Sequence, residues 1–209
     1  MPGAPKISAI LLAAGSSTRF GSNKLLMPLG GMPVVRRAAL SLVESKAAEV
    51  IAVTGHQAAE VERAMENLNL RLTHNPAFES GQATSLIAGL NEAAGDAEGY
   101  LFALGDQPLI GQSVIDRLID AFAASGGKAL AAAPYFEGRR GNPVLLSSAL
   151  REELASLKGD EGARGILRTL QAESPDRLAP VEVDGEEIFW DLDTAEDFEK
   201  LQSKFNGAE

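Results

Sequence analysis

Hydrophobic and polar positions alternate between two periods along the chain. ISAILLA (7–13), EVIAVTG (49–55) and GYLFALGD (99–106) are apolar nearly throughout, as expected of central parallel strands covered on both faces. Between and after them lie amphipathic stretches of helical period: PVVRRAALSLVESK, QAAEVERAMENL, ATSLIAGLNEAAG, SVIDRLIDAFAASGG, SALREELASL, GARGILRTLQA and AEDFEKLQSKF. LRLTHN, ALAAAPYF, NPVLLS, LAPVEVD and EIFWDLD read as further strands, and EGRRGNP as a loop. The alternation of strand and helix predicts a three-layer α/β/α domain with a mostly parallel mixed sheet. No repeat of fixed period, low-complexity tract or long linker divides it, so residues 1–209 are expected to form one domain.

In open α/β sheets ligands bind beyond the carboxyl ends of the strands, which directs attention to the residues just after each apolar run. The first run ends in LLAAGSSTRFGSNK, where the small residues Ala13, Ala14 and Gly15 would let backbone N–H groups approach a phosphate, with Arg19 and Lys24 just beyond. The stretch is neither a Walker A loop nor a G-x-G-x-x-G dinucleotide fingerprint. Its glycines alone read equally as a strand-to-helix turn with two solvated cations, a reading that weakens because the strand, the small turn and both cations occur together.

LGDQP places Asp106 at a strand end, suited to Mg²⁺ when phosphates supply the remaining oxygens, or to a plain turn. FWDLDTAED offers Asp191 and Asp193 as further metal carboxylates; on a strand they would share a face with Leu192 opposite, while Thr194 and Asp197 form a capping box. Gly81, Gln82, Thr84 and Ser85 in HNPAFESGQATSL suit a nucleobase edge, a phosphate or a helix N-cap. Arg139 and Arg140 in GRRGNP, and Arg164 in GDEGARG, suit the phosphate of a second substrate or an ordinary solvated surface.

Composition narrows the chemistry. The absence of cysteine removes disulfides, thiolate nucleophiles and thiolate metal sites, and fits a reducing compartment. The two histidines, His56 and His74, are isolated from one another in the sequence, and no G-x-S-x-G motif is present. A net charge of −10 argues against a broad nucleic-acid or anionic membrane surface. The N-terminus carries no signal pattern and no apolar run reaches membrane-span length, which makes the cytoplasm the expected location.

LLAAGSSTRFGSNKLLMPLGGMPVV resembles the N-terminal signature of nucleotidyltransferases that activate sugars, isoprenoid precursors and molybdopterin, with its L-A-x-G-x-S/G-x-R pattern followed by Lys. VTGHQ, NPAFESGQATSL, GDQP, RGNPVLLS, GDEGARGIL and DLDTAEDF, in this order over residues 7–198, are similar to the molybdenum cofactor cytidylyltransferase branch. The resemblance implies a Rossmann-like domain of the GT-A type, its N-terminal half mainly binding nucleotide and its C-terminal half mainly binding acceptor. It implies transfer of CMP from CTP to molybdopterin with release of pyrophosphate, aided by Mg²⁺ or Mn²⁺. In that reading the backbone of Leu12, Ala13, Ala14 and Gly15, with Gln82 and Ser85, holds the nucleotide. Arg19 and Lys24 hold its phosphates, Asp106 holds the metal with Asp193 or Asp191, and Arg139, Asn142 and Arg164 face the acceptor.

Ala14 stands where the guanylyltransferase branch has glycine, and its Cβ would narrow the space beside the base in favour of a pyrimidine. Asn142 departs from the His of many relatives. Other readings keep the same fold: GTP as donor, a sugar phosphate or another phosphorylated metabolite as acceptor, a nucleotide-sensing module, or a non-catalytic carrier serving a molybdenum hydroxylase or its maturation factor.

Overall fold

The computed structural model describes residues 4–16 and 22–206. Its strands are β1 (Ile7–Ala13), β2 (Pro28–Leu29), β3 (Met32–Pro33), β4 (Glu49–Thr54), β5 (Arg71–His74), β6 (Gly99–Leu104), β7 (Ala131–Phe136), β8 (Arg139–Arg140), β9 (Val144–Ser147) and β10 (Leu178–Glu182). The helices are α1 (Val34–Val43), α2 (Ala58–Ala64), α3 (Gln82–Glu92), α4 (Gln112–Ala124), α5 (Arg151–Ala155), α6 (Arg164–Glu173) and α7 (Ala195–Asn206). The main sheet runs in the order β10-β7-β9-β6-β1-β4-β5. β1 pairs in parallel with both β4 and β6, β4 with β5, and β7 with β10, while β9 is antiparallel to both its neighbours. The mostly parallel mixed sheet expected from the hydrophobic pattern is the one observed. Among the described residues no helix is long and apolar enough to cross a membrane.

Alternation along β1 divides the core. Ile7, Ala9, Leu11 and Ala13 pack with α1, α2 and α4 residues such as Val35, Leu42, Val61, Leu118 and Phe122. Ile10 points the other way, onto Leu86 and Leu90 of α3 and, farther along that layer, Leu154 of α5 and Ile166 and Leu167 of α6. Gly89 of α3 sits so close to β1 that a Cβ there would lie 2.4 Å from Ile10 Cγ2. A third cluster, Leu29, Val34, Leu192 and Leu201 with Phe198 and Phe205 against it, fastens α7 across the β2–β3 hairpin.

Three predicted elements differ in the structure. EGRRGNP is not only a loop: Glu137 and Gly138, both at positive φ, turn the chain back so that β8 pairs antiparallel with the tip of β7. SALREELASL opens with a 3-10 turn at Ser148–Leu150, leaving only Arg151–Ala155 as α-helix. EIFWDLD is not a strand. Glu186–Phe189 form a 3-10 helix, and the segment bonds at separate points to the stretch before β9 and to the residue pair after β6 instead of to one ladder. Asn142 N–H donates to Ile188 O at 3.1 Å, and Leu192 N–H donates to Asp106 O at 3.1 Å.

The alternation predicted for that segment nevertheless survives without a strand: Leu192 is fully buried while Asp191 and Asp193 remain accessible. Leu192 therefore locks the two aspartates to the end of β6. Leu192→Ala is expected to lower the unfolding free energy by about 2–5 kcal/mol, as for other large-to-small core changes, measured as a drop in the urea midpoint at unchanged slope.

Candidate active site

The sheet reverses direction of winding between β1 and β6: the chain proceeds from β1 outward through β4 to β5, then returns to β6 on the other side of β1. At such a switch point the loops after neighbouring strands diverge and leave a crevice. Gly105 N–H donates to Leu12 O at 2.9 Å, and His56 N–H to Ala14 O at 3.1 Å, so the ends of β1, β4 and β6 are tied together by backbone. Gly55 lets this happen, because a Cβ there would lie 2.8 Å from both the methyl and the carbonyl oxygen of Ala14.

Lys24 is the central charge. It opens a 3-10 turn at Lys24–Leu26, fixed by Asn23, whose side-chain oxygen accepts from Leu25 N–H at 3.1 Å. Lys24 Nζ donates to Asp106 Oδ2 at 2.6 Å and to Asp193 Oδ1 at 3.0 Å, and its side chain is only 14% exposed. Burial draws the ammonium pKa downward as the largest single effect, but the charges and hydrogen bonds of Asp106 and Asp193 together outweigh it and leave it above the ordinary lysine value. Lys24 is thus a fixed cation joining residues 82 and 169 positions away along the chain. The Asp191 carboxyl is raised by burial first and then by the negative charge of Asp106.

Two cavities open here. The first, about 550 Å³, is lined by Leu12, Ala14, Gly15, Ser16, Lys24, Phe78, Glu79, Gly81, Gln82, Ser85, Asp106, Asp160 and Asp193, among others. The second, about 350 Å³, is lined by Leu86, Phe102, Gln107, Arg139, Arg140, Asn142, Val144, Arg164, Ile188, Phe189 and Asp191, among others. Leu12, Gln82 and Leu104 border both. The pair of aspartates is therefore divided: Asp193 shares Lys24 with Asp106, and Asp191 faces the neighbouring cavity. Among the described residues no three carboxylate or imidazole groups gather as a metal cluster, and Asp106 and Asp193 are joined through Lys24.

The wall between the cavities is the start of α3. Asn75, 3% exposed, donates through Nδ2 to Thr84 Oγ1 at 2.8 Å and to Ser85 Oγ at 2.9 Å, and its Oδ1 accepts from Ala77 N–H at 3.0 Å. Thr84 is committed within the turn, donating to the carbonyl oxygens of Ala77 and Gly81. Of the polar residues expected here, Gln82 and Ser85 face a cavity, whereas Thr84 holds the loop. Gly81 has φ +108° and lies against the 158–162 loop, with Ala83 N–H donating to Gly159 O at 2.9 Å.

Among the expected site residues, Leu12, Ala14, Gly15, Lys24, Gln82, Ser85, Asp106 and Asp193 border the larger cavity, and Arg139, Asn142, Arg164 and Asp191 the smaller. Ala13 is buried beneath, in the α1/α2/α4 core. Arg19 lies outside the described residues. Sequence reading missed Phe78, Glu79, Asp160 and Gln107; for Gln107 the position directly after Asp106 was the available signal.

The fold and this crevice define an α/β protein with two adjoining cavities at the switch point of its sheet. A family model described as a MobA-like NTP transferase domain matches residues 9–175, and the chain belongs to that family. It is a nucleotidyltransferase. The chain is 32% identical to nicotine blue oxidoreductase of Paenarthrobacter nicotinovorans, over 94% of this chain and 97% of that protein. It is 26% identical to the molybdenum cofactor cytidylyltransferase of Escherichia coli K12, over 95% of this chain and 97% of that protein. Rv0371c of Mycobacterium tuberculosis H37Rv superposes with a TM-score of 0.82 at 27% identity, covering 97% of this chain and 100% of its own.

A side chain at position 81 has no room, since its Cβ would fall 2.3 Å from the Gly159 backbone. Gly81→Ala is expected to cost about 1–3 kcal/mol of stability, through both the clash and the positive φ, and to weaken nucleotide binding as the α3 start moves from the 158–162 loop. Urea unfolding and a nucleotide titration on the same variant would check this.

Proposed function

We propose that the protein transfers CMP from CTP to the phosphate of molybdopterin and releases pyrophosphate, the larger cavity taking CTP and the smaller the acceptor. The observation that carries this reading is the reversal of charge between two adjoining cavities. Among the described lining residues the larger has Glu79, Asp106, Asp160 and Asp193 against Lys24, a balance of −3, while the smaller has Arg139, Arg140 and Arg164 against Asp191, a balance of +2. A triphosphate enters the acidic cavity only with added positive charge, whereas a phosphorylated acceptor is attracted to the basic one directly.

The two carboxylates on Lys24 fit a hard divalent ion such as Mg²⁺ or Mn²⁺, which needs one or two protein oxygens when phosphates provide the others. Such an ion, held by Asp106 and Asp193, would supply charge neutralisation to the triphosphate. Arg19 is assigned, with Lys24, to the triphosphate through the family pattern that the sequence carries.

An oxygen of the acceptor phosphate attacks the α-phosphorus of CTP, a new phosphoanhydride bond forms, and the bond to the β-phosphate breaks in line. The attacking oxygen is already ionised, so no general base is needed. The chain's task is to align the two substrates and to stabilise negative charge that shifts toward pyrophosphate. With Asp106 and Asp193 on the ion, the Lys24 ammonium would turn to the phosphates and offer its charge there. Gln82 borders both cavities, which supports a contact with either substrate.

The C-terminal half supplies the acceptor's arginines, while Leu12 and Gln82 from the N-terminal half border both sites. The base preference rests on Ala14, which lines the larger cavity with its methyl against Gly55. In the cell the product would pass to a molybdenum hydroxylase or its maturation factor in the cytoplasm.

Pyrophosphate release from each of four NTPs, with molybdopterin or several sugar phosphates as acceptor and Mg²⁺ or Mn²⁺ present, tests the assignment. CTP with molybdopterin should be the productive pair, and turnover with a sugar phosphate instead would replace the acceptor. Lys24→Ala should lower turnover about a hundredfold or more, as for loss of a transition-state donor, while changing CTP affinity far less. Asp106→Ala should abolish metal-dependent pyrophosphate release, and full activity in that variant would remove Asp106 from the metal site.

A further inference from the structure

Among the described residues no hydrogen bond or ion pair joins α7 to another element. Its polar contacts stay within the helix and its start: Thr194 and Asp197 cap one another, Phe198 N–H donates to Thr194 O at 3.2 Å, and Lys200 pairs with Glu196. What docks α7 is the third apolar cluster, to which it brings Phe198, Leu201 and Phe205 against Leu29, Val34 and Leu192. A helix with no backbone bonds to its neighbours opens at a lower free-energy cost than a strand inside the central sheet.

The far end of that helix is clasped. Arg37 of α1 lies with its guanidinium 4.0 Å from the centre of the Phe205 ring, and the same group donates from Nε to Leu29 O at 2.7 Å and from Nη2 to Gly30 O at 3.1 Å. Gly30, at φ +54°, presses on this contact from the hairpin: a Cβ there would overlap the Phe205 ring and lie 2.7 Å from Arg37 Nη2. Arg37 thus ties the β2–β3 turn to the last turn of α7, by hydrogen bonds on one side and by its flat face on the other. Both of the segments it joins lead to the site. The hairpin follows the Lys24–Leu26 turn, and α7 starts two residues after Asp193.

We propose that Arg37 and Phe205 are positioning residues of the transfer site: their contact, at the opposite end of α7, holds Asp193 beside Asp106 and thereby sets how tightly a divalent ion is bound with its nucleotide. Neither residue lines a cavity, and α7 spans about 18 Å at ~1.5 Å per residue, so they act only through the helix. Asp106 is carried by the end of β6, whereas Asp193, the more exposed of the two at 42% against 17%, is carried by the segment entering α7. When α7 opens, Asp106 stays with the sheet and Asp193 leaves with the helix. This rests on Asp193 sharing the ion with Asp106. An ion that needs both carboxylates binds the docked form alone, so undocking lowers its apparent affinity and the ion in turn favours docking.

The test uses the full chain as wild type, Phe205→Ala, Phe205→Tyr, Arg37→Met and Asp193→Asn. Hydrogen–deuterium exchange is followed in α7, in residues 190–194, where Leu192 N–H bonds to Asp106 O, and in β1 and β6 as the reference. α,β-Methylene CTP, which cannot transfer CMP, is then titrated by calorimetry with saturating Mg²⁺ and again in EDTA. The ratio of the two affinities reads what the ion contributes.

Phe205→Ala is expected to speed exchange in α7 and in 190–194 about tenfold or more, with β1 and β6 unchanged. It should weaken binding of the Mg²⁺-loaded analogue about threefold or more and leave the metal-free affinity as it is. Arg37→Met should act in the same direction. Phe205→Tyr, which keeps a ring under the guanidinium, should stay within about twofold of wild type in both measurements. If Asp193→Asn leaves the Mg²⁺-loaded affinity unchanged, Asp193 is not a metal ligand and that part of the proposed function fails, while the exchange pattern alone upholds the positioning by Phe205. The assignment is overturned if Phe205→Ala exchanges in 190–194 as wild type does, or if β1 and β6 speed up equally, as general destabilisation would make them. It is overturned as well if Phe205→Ala leaves the Mg²⁺-loaded affinity unchanged while Asp193→Asn lowers it, or if Phe205→Tyr loses as much as Phe205→Ala.

Discussion

Strand β1 is hydrogen-bonded on both sides to parallel neighbours and covered by helices on both faces, and this double enclosure shapes everything else in the molecule. Inside such a strand a charged side chain would have no water and no partner, so Ile7, Ala9, Ile10, Leu11 and Ala13 are apolar, and polar chemistry is displaced to the carboxyl edge. The same enclosure makes the edge rigid. Leu12 and Ala14 offer their carbonyls to the loops after β6 and β4, so those loops begin from fixed points and their first residues cannot drift.

The site's electrostatics result from that rigidity. Asp106 leaves the end of β6 and Asp193 precedes α7, and nothing in their local sequences requires them to meet. They do because Leu192 is buried with Leu29, Val34 and Leu201, and because its N–H bonds to the carbonyl of Asp106. Lys24 then stands between two carboxylates, where their attraction exceeds the burial cost of its charge. The neighbouring cavity inverts the sign by drawing arginines from β8 and the start of α6. Two adjoining cavities thereby carry opposite charge, one lined mainly by carboxylates and the other mainly by guanidinium groups.

Much of the fold and the crevice is legible in the sequence. The three apolar runs are the three central strands, the helical periods fall on α1 to α4, and the stretches after the strands supply most of the residues that line the crevice. Failures occur where local pattern is overridden. EIFWDLD alternates like a strand, yet its hydrogen bonds are divided between Asn142 and Asp106, so no ladder forms. Thr84 carries the polarity of a ligand contact but spends its hydroxyl on Ala77 and Gly81.

By itself the sequence determined the layer order, the positions of the central strands and the edge at which chemistry gathers, because periodicity and the enclosure of apolar strands are local properties written in every few residues. It also determined which family pattern the chain carries, since LLAAGSSTRFGSNK, GDQP and DLDTAED survive as short contiguous strings. Only the tertiary structure decided that Asp193 joins Asp106 on Lys24 while Asp191 faces the second cavity, and that Gly81 must pass against Gly159. Those outcomes depend on where Leu192 is buried and on how closely two distant loops approach. Both are set by packing between segments far apart in the chain, which no local pattern encodes.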